Sequence, residues 1–126
     1  MTAHLEHANY TVSDPLKTAA WMEKLFGWHI RWQGAALGGG FTVHVGSDVH
    51  YLALYTPAQP LDAKTSSYSI IGGLNHIAVV VQDLDACETA IKSHGFKTGN
   101  HGDYEPGRRF YFHDDDGIEY EVVQYS

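Results

Sequence analysis

The sequence is poor in several residue types, and each shortage argues against a class of protein. It has one cysteine, Cys87, so no disulfide bond can form within the chain. Only 8 Lys and Arg stand against 15 Asp and Glu, giving a formal net charge of −7. Nucleic acids and anionic membranes bind basic surfaces, and no apolar run approaches the length of a membrane span. We therefore predict neither a nucleic-acid partner nor a membrane partner.

The remaining composition is that of a folded domain. Hydrophobic residues make up 44% of the 126 residues and aromatic residues 13%, which is typical of a globular protein. The first residues, Met1 to Glu6, lack the basic-then-apolar order of a secretion signal. We predict a single domain over residues 1–126, located in the cytoplasm.

The chain also contains an internal repeat. Residues 5–14 and 74–83 align without a gap, and the alignment places His7 on His76. A repeat of this length is too long for a solenoid unit and indicates a duplicated supersecondary module. Two like modules would present two imidazoles at equivalent positions.

Each module has the same predicted order of one strand, one helix and three strands. Module one spans 1–56, the linker 57–73 and module two 74–126. Alternating residues and turn formers predict strands over 6–12, 28–33, 40–45 and 50–56, then over 75–81, 96–98, 109–113 and 118–124. The fold class is α+β, with two tandem βαβββ modules forming a curved mixed sheet around a metal or ligand cavity.

Three residues are candidate metal ligands. His7 and His76 lie on the first strands of their modules, and Glu121 lies on the last strand of module two, where module one has Ala53. Two imidazoles and one carboxylate suit one divalent ion, with Fe(II) or Mn(II) favoured and Zn(II) or Ni(II) as alternatives. A buried Glu121 carboxylate needs a positive partner, which a metal would supply. The alternative is that both histidines are structural and Glu121 faces water.

These residues resemble a known family. Leu5 to His7, Leu74 to Val79 and the run from Phe110 to Glu121 look like the vicinal oxygen chelate superfamily. It includes glyoxalase I, bleomycin-resistance proteins, extradiol dioxygenases and fosfomycin-resistance enzymes. The resemblance implies a metal that binds a small substrate through adjacent oxygens. It also implies a homodimer, with the site formed within one chain or between two.

The resemblance favours some reactions over others. Ala53 occupies the fourth ligand position of glyoxalase I and cannot bind a metal, which argues against that enzyme. His101, Tyr111 and Glu121 are similar to the extradiol dioxygenase signature, although Asp115 stands where the signature has proline. This implies that His101 is an acid or base and Tyr111 a hydrogen-bond donor, so a ring-cleaving dioxygenase is the leading reaction. The alternative for His101 is a place on a mobile loop, with Tyr111 in the core.

Other assignments remain open. Cavity residues expected to contact substrate are Asn9, Tyr55 and Glu119, with Ala53 and Ala78 beside them. A protein that sequesters a drug or metabolite, like the bleomycin-resistance members, would suit the negative charge and the many aromatic residues. A lyase, an isomerase or a thiol transferase of the same superfamily is a further alternative. The stretch from Asp114 to Gly117 predicts a solvated turn.

Overall fold

The chain consists of two compact units, each built in the order that the repeat predicts. The computed structural model describes residues 1–59, 61–62, 67–104 and 107–125. The first unit is Met1–Lys64 and the second unit is Thr65–Ser126. Each contains a strand, a helix and three further strands, which confirms the α+β class and the βαβββ modules.

The first unit is a four-stranded sheet with one helix. Its elements are β1 (His7–Thr11), α1 (Pro15–Phe26), β2 (His29–Ala35), β3 (Phe41–Gly46) and β4 (Tyr51–Thr56). The strand order is β1-β4-β3-β2. β1 runs parallel to β4, and the other neighbours are antiparallel. The register places Asn9 opposite Ala53.

The second unit repeats this arrangement. Its elements are β5 (Ile77–Val80), α2 (Leu84–His94), β6 (Thr98–Tyr104), β7 (Gly107–His113) and β8 (Glu119–Tyr125). The strand order is β5-β8-β7-β6, with β5 parallel to β8. Ala78 lies opposite Glu121, as Asn9 lies opposite Ala53 in the first unit. The register therefore supports the predicted equivalence of Ala53 and Glu121.

Local signals in the sequence set the limits of both helices. The side chains of Asp14 and Asp83 accept hydrogen bonds from backbone amides three residues later, which satisfies donors that the first helical turn leaves free. Gly27 and Gly95 end the helices with φ of 70° and 113°, a conformation that favours glycine.

Within the described residues, no helix is long and apolar enough to span a membrane.

One face of each sheet packs against the α-helix of its own unit, and among the described residues of that unit no α-helix lies on the opposite face. In β1, Tyr10 is buried whereas His7 and Asn9 are exposed, as the alternation predicts. In β7, Phe110 and Phe112 are buried with at most 1% of their surface exposed. We call the opposite faces the first and second helix-free faces, after their units.

β6 differs from its prediction. The sequence predicts a strand over 96–98, with a mobile loop as the alternative for His101, whereas the strand spans Thr98–Tyr104. Its pairing with β7 is irregular between Gly99 and Gly102, and Asn100 has a φ of 51°. The glycine-rich segment that resembles a loop is a β-bulge, in which the partner strand holds an irregular backbone in the sheet.

The turn between β7 and β8 is less solvated than predicted. Asp114 has 8% of its surface exposed, and its carboxylate accepts hydrogen bonds from the amides of Asp116 and Ile118. The Tyr120 hydroxyl also donates to it. Asp114 is therefore an internal acceptor that holds the turn together, and the prediction of a solvated turn was wrong for this residue.

Candidate functional site

The second helix-free face carries a buried ion pair between Glu121 and Arg109. Arg109 Nη1 donates to Glu121 Oε2 over 2.9 Å, and the side chains are 13% and 10% exposed. β7 and β8 position the two groups, since Arg109 lies on the strand next to Glu121. The guanidinium supplies the positive partner that the sequence interpretation assigned to a metal. Burial of Glu121 therefore does not by itself require a metal.

His76 lies beside the other oxygen of Glu121. Its Nε2 is 3.2 Å from Glu121 Oε1, while Arg109 holds Oε2. His76 precedes β5, the parallel neighbour of β8, and the pairing of these strands brings the two residues together. His76 Nε2 and Glu121 Oε1 are therefore in direct contact.

Glu119 lies on the other side of the His76 ring. Its Oε1 accepts a hydrogen bond from the Tyr68 hydroxyl and is 3.5 Å from His76 Nδ1, and its Oε2 is 3.7 Å from His113 Nε2. The Tyr68 hydroxyl is also 3.3 Å from His76 Nδ1. The hydrogen bond to Glu119, followed by burial, raises the pKa of Tyr68 to about 12. Tyr68 therefore remains protonated at physiological pH.

Two more tyrosines border this cluster. The Tyr111 ring packs edge-on against His76, with ring centroids 5.6 Å apart. Burial, and then the charge of Glu121, raises the pKa of Tyr111. Tyr104 lies under the Arg109 guanidinium, whose carbon is 4.6 Å from the ring centroid. Arg109 Nε is buried and has no hydrogen-bond partner among the residues that the structure describes.

The first helix-free face presents a histidine without a carboxylate at the equivalent of Glu121. His7 Nδ1 is 2.9 Å from Glu6 Oε1, and the Tyr51 hydroxyl donates to the same oxygen over 3.3 Å. The His7 hydrogen bond is the main reason that the pKa of Glu6 is lowered. Here Ala53 replaces the carboxylate, and it is buried.

Rings extend across this first face. The His7 and His44 rings both stack on Tyr51, with centroids 4.8 and 4.6 Å away, and Trp32 lies 5.1 Å from His44. The Arg31 guanidinium lies 4.5 Å from the Tyr51 ring centroid. Burial, and then the charge of His7, lowers the pKa of His44. The face is a half-exposed aromatic surface.

The two predicted substrate contacts of the first unit lie on adjacent strands. Asn9 is on β1, and its amide donates to the carbonyl oxygen of Ala53 over 2.9 Å. Tyr55 is on β4 and is half-buried. Their placement on the first helix-free face matches the predicted alternation of both strands, and their contact with substrate stays a prediction.

His101 lies on the other side of its sheet. Its Nε2 is 2.7 Å from Glu88 Oε2 on α2, and its ring is 6.0 Å from that of buried Phe110. Tyr111 and Glu121, by contrast, lie on the helix-free face. The structure therefore brings Tyr111 to His76 and Glu121 but does not bring His101 to them. The bulge in β6 is the reason, because it changes which residues of the strand face the helix.

Two residues of the cluster, Arg109 and Tyr68, were not predicted from the sequence. Arg109 is not among the predicted site residues, although its alternation with Tyr111 and His113 places it on the face of Glu121. Tyr68 comes from the predicted linker, where no periodic pattern indicates its direction. Only the fold of the 3-10 turn Ser67–Ser69 brings it to Glu119.

The donor atoms of the second unit fit a metal ion in part. Across residues 1–59, 61–62, 67–104 and 107–125, no three His, Cys, Asp or Glu side chains converge to hold an ion. His76 Nε2 and Glu121 Oε1 nevertheless fit as a pair. Two ligands about 2.1 Å from one ion are roughly 3.0 to 3.4 Å apart, and these atoms are 3.2 Å apart. His7, the third predicted ligand, belongs to the first unit.

The sequence matches one family model. The model of the glyoxalase/bleomycin resistance protein/dioxygenase superfamily matches residues 4–122. A comparison with curated proteins found no match.

Solved structures share the fold. A glyoxalase/bleomycin resistance protein/dioxygenase domain from Frankia sp. EAN1pec is 18% identical, covers all of both chains and has a TM-score of 0.82. The fosfomycin resistance protein FosX from Listeria monocytogenes, in complex with Mn(II) and sulfate, is 21% identical, with coverage of 100% and 95% and a TM-score of 0.73. TnmS3, an antibiotic-binding protein from Streptomyces sp. CB03234, is 19% identical, with coverage of 99% and 98% and a TM-score of 0.73.

Proposed function

The chain belongs to the glyoxalase/bleomycin resistance protein/dioxygenase superfamily, and we propose that it is a metal-dependent enzyme that binds a small substrate through adjacent oxygens. The observation that carries the proposal is the 3.2 Å approach of His76 Nε2 to Glu121 Oε1. These two atoms would be ligands of one divalent ion, and His7 stays a predicted further ligand. Such an ion supplies Lewis-acid or redox chemistry to oxygens bound beside it.

The residues around the pair support this role. Arg109 holds Oε2 of Glu121, which leaves Oε1 facing His76. Outer partners of this kind commonly fix the orientation of metal ligands. Tyr111 packs against His76 and would donate a hydrogen bond to a substrate oxygen, because its raised pKa keeps the hydroxyl protonated.

We propose ring cleavage of a substrate with two adjacent hydroxyl groups as the first reaction to test. Tyr111 is the hydrogen-bond donor on the helix-free face that supports it. His101 is omitted from the proposed site, since its ring contacts Glu88 and Phe110 on the helix side. Fe(II) and Mn(II) are the ions to test first, followed by Zn(II) and Ni(II).

Metal content tests the proposal. The protein would be purified without a histidine tag or chelator and analysed for metals beside His76→Ala and His50→Ala. His50 is an exposed turn residue and serves as the matched control. We expect about one metal ion per chain in the wild type and in His50→Ala, and a loss of at least tenfold in metal occupancy in His76→Ala. Equal occupancy in all three proteins would overturn the assignment of His76.

A second function is favoured by the aromatic surface of the first unit. Tyr51, His44 and Trp32 offer a continuous ring surface, and Glu121 is already neutralised by Arg109 without a metal. A protein that sequesters a planar ligand would use these features. Quenching of tryptophan fluorescence by a planar drug in metal-free protein, lost in Trp32→Phe, with no metal uptake, would favour sequestration over catalysis.

The assembly and location are also proposals. We propose a homodimer that acts in the cytoplasm on a small molecule. Sedimentation equilibrium would measure the mass in solution, and a monomer at all concentrations would contradict the dimer. The chain mass of 14.0 kDa makes the two states easy to separate.

A further inference from the structure

Both proposed imidazole ligands, His7 and His76, have hydrogen-bond acceptors beside the same ring nitrogen, Nδ1. In the first unit, His7 Nδ1 contacts Glu6 Oε1 at 2.9 Å, and the Tyr51 hydroxyl donates to that oxygen over 3.3 Å. The contact is short enough for a hydrogen bond from the imidazole. The nitrogen that remains for a metal is Nε2.

The second unit reaches the same arrangement around His76. The Tyr68 hydroxyl donates to Glu119 Oε1 and lies 3.3 Å from His76 Nδ1. Because the hydroxyl proton goes to Glu119, the hydroxyl oxygen is available to accept from Nδ1–H. Glu119 Oε1 itself lies 3.5 Å from Nδ1. Nε2 again is the other nitrogen, and it faces Glu121.

We infer that the pairs Glu6–Tyr51 and Glu119–Tyr68 are positioning residues that fix His7 and His76 as ligands through Nε2. The inference rests on the proposed metal site. An ionised carboxylate only accepts hydrogen bonds, so the nitrogen beside it carries the proton and the opposite nitrogen keeps its lone pair. Glu119, predicted to contact substrate, thereby acts through His76.

The repeat does not explain this likeness. Glu6 precedes His7 in the chain, whereas Glu119 lies on β8 at the position that Tyr51 occupies on β4. Tyr68 comes from the 3-10 turn before β5. The two units thus assemble the same carboxylate and hydroxyl around Nδ1 from different positions, which duplication alone would not produce.

The pair Glu119–Tyr68 acts on a more buried contact than the pair Glu6–Tyr51 does. The Glu119 side chain is 14% exposed and His76 is 32% exposed, whereas Glu6 is 62% and His7 41% exposed. An exposed ion pair contributes less because water screens it. We expect Glu119 to matter more to metal binding than Glu6.

Mn(II) affinity gives the first test. Glu119→Gln, Tyr68→Phe and Glu6→Gln keep the shape of each side chain, with Glu23→Gln and Tyr125→Phe as matched controls on α1 and at the end of β8. We expect Glu119→Gln to weaken Mn(II) binding about 10- to 100-fold, Tyr68→Phe about 3- to 10-fold and Glu6→Gln less than about fivefold. The two controls should bind like the wild type, as measured by titration calorimetry on proteins with equal urea midpoints.

The ligating nitrogen gives a second test that general loss of stability would not mimic. Long-range proton–nitrogen NMR of the Zn(II)-loaded, histidine-labelled protein identifies which nitrogen of each imidazole binds the ion. We expect Nε2 for both His7 and His76 in the wild type, and faster exchange of the His76 Nδ1 proton in Tyr68→Phe. Ligation through Nδ1, or unchanged Mn(II) affinity in Glu119→Gln, would overturn this inference alone. A wild-type chain that takes up no metal would overturn the proposed function as well.

Discussion

Glu121 and Arg109 show how one residue decides the state of another. The Glu121 carboxylate is 10% exposed, and Arg109 holds one of its oxygens over 2.9 Å. Without that partner, the Glu121 carboxylate would be buried with no guanidinium beside it. Removing one member of a buried ion pair is far more costly than removing both.

Arg109→Gln therefore should destabilise the fold. We expect the free energy of unfolding to fall by roughly 2 to 4 kcal/mol, somewhat below the loss for a fully buried pair. Glu121→Gln added to that variant should restore most of the loss, because the unpaired charge is gone. Urea denaturation measures both changes. A loss under about 0.5 kcal/mol for Arg109→Gln would mean that the pair contributes little.

Asp114 supplies a pH-dependent prediction. Burial raises its pKa above the usual 3.8, against the lowering effect of hydrogen bonds from Ile118, Tyr120 and Asp116. A raised pKa means that the folded state binds the proton more tightly than the unfolded state. The stabilising contribution is therefore complete below pH 3.8 and is lost as pH rises through the folded pKa.

Asp114→Asn removes this titration and keeps an acceptor for the turn amides. The free energy of unfolding of the wild type, measured relative to the variant, should decrease as pH rises from about 4 to about 7. Urea denaturation across that range provides the comparison. A difference that is independent of pH would show that Asp114 ionises equally in both states.

At the scale of elements, α2 and β6 are joined by a polar cluster rather than by apolar packing alone. Glu88 on α2 accepts hydrogen bonds from Thr98 and lies 2.7 Å from His101, with Lys92 at 3.5 Å. Burial alone would raise the pKa of Glu88, but these partners outweigh it and lower the pKa. His101 thus connects a strand to its helix.

His101→Ala tests whether that is its main role. We expect the free energy of unfolding to fall by about 1 kcal/mol, the typical loss of one hydrogen bond to a partly exposed group. Metal uptake should remain that of the wild type. Loss of turnover with unchanged stability would instead support the acid or base role that the sequence resemblance implies.

At the scale of the whole molecule, the two units differ by a matched pair of residues. β7 and β8 place Arg109 diagonally to Glu121, and the equivalent positions in the first unit are Thr42 and Ala53. The second unit therefore has both charges and the first unit has neither. This correlation fits the physical rule that a buried carboxylate requires a partner.

We expect the first unit to tolerate a glutamate at Ala53 only when an arginine is also introduced at Thr42. Ala53→Glu alone is expected to lower the free energy of unfolding by roughly 2 to 4 kcal/mol, because Ala53 is 5% exposed and no guanidinium lies at Thr42. Addition of Thr42→Arg should recover about 1 to 3 kcal/mol in a double-mutant cycle. Thr42→Arg alone serves as the control, and strict additivity would contradict the pairing.

The sequence by itself determined the duplicated βαβββ order, the helix ends and the equivalence of Ala53 and Glu121. These follow from alternation, capping residues and repetition, which are properties of neighbouring residues along the chain. Glu121 was predicted on a strand from such a pattern, and it lies on β8.

Only the tertiary structure decided which sheet face each side chain occupies and which side chains it contacts. Arg109 pairs with Glu121 because of the register of β7 and β8, Tyr68 reaches Glu119 from a turn, and a bulge directs His101 towards α2. The physical reason is that side chains alternate with a period of two, so one extra residue exchanges the faces of a strand. Register and bulges depend on the partner strand, which local sequence does not specify.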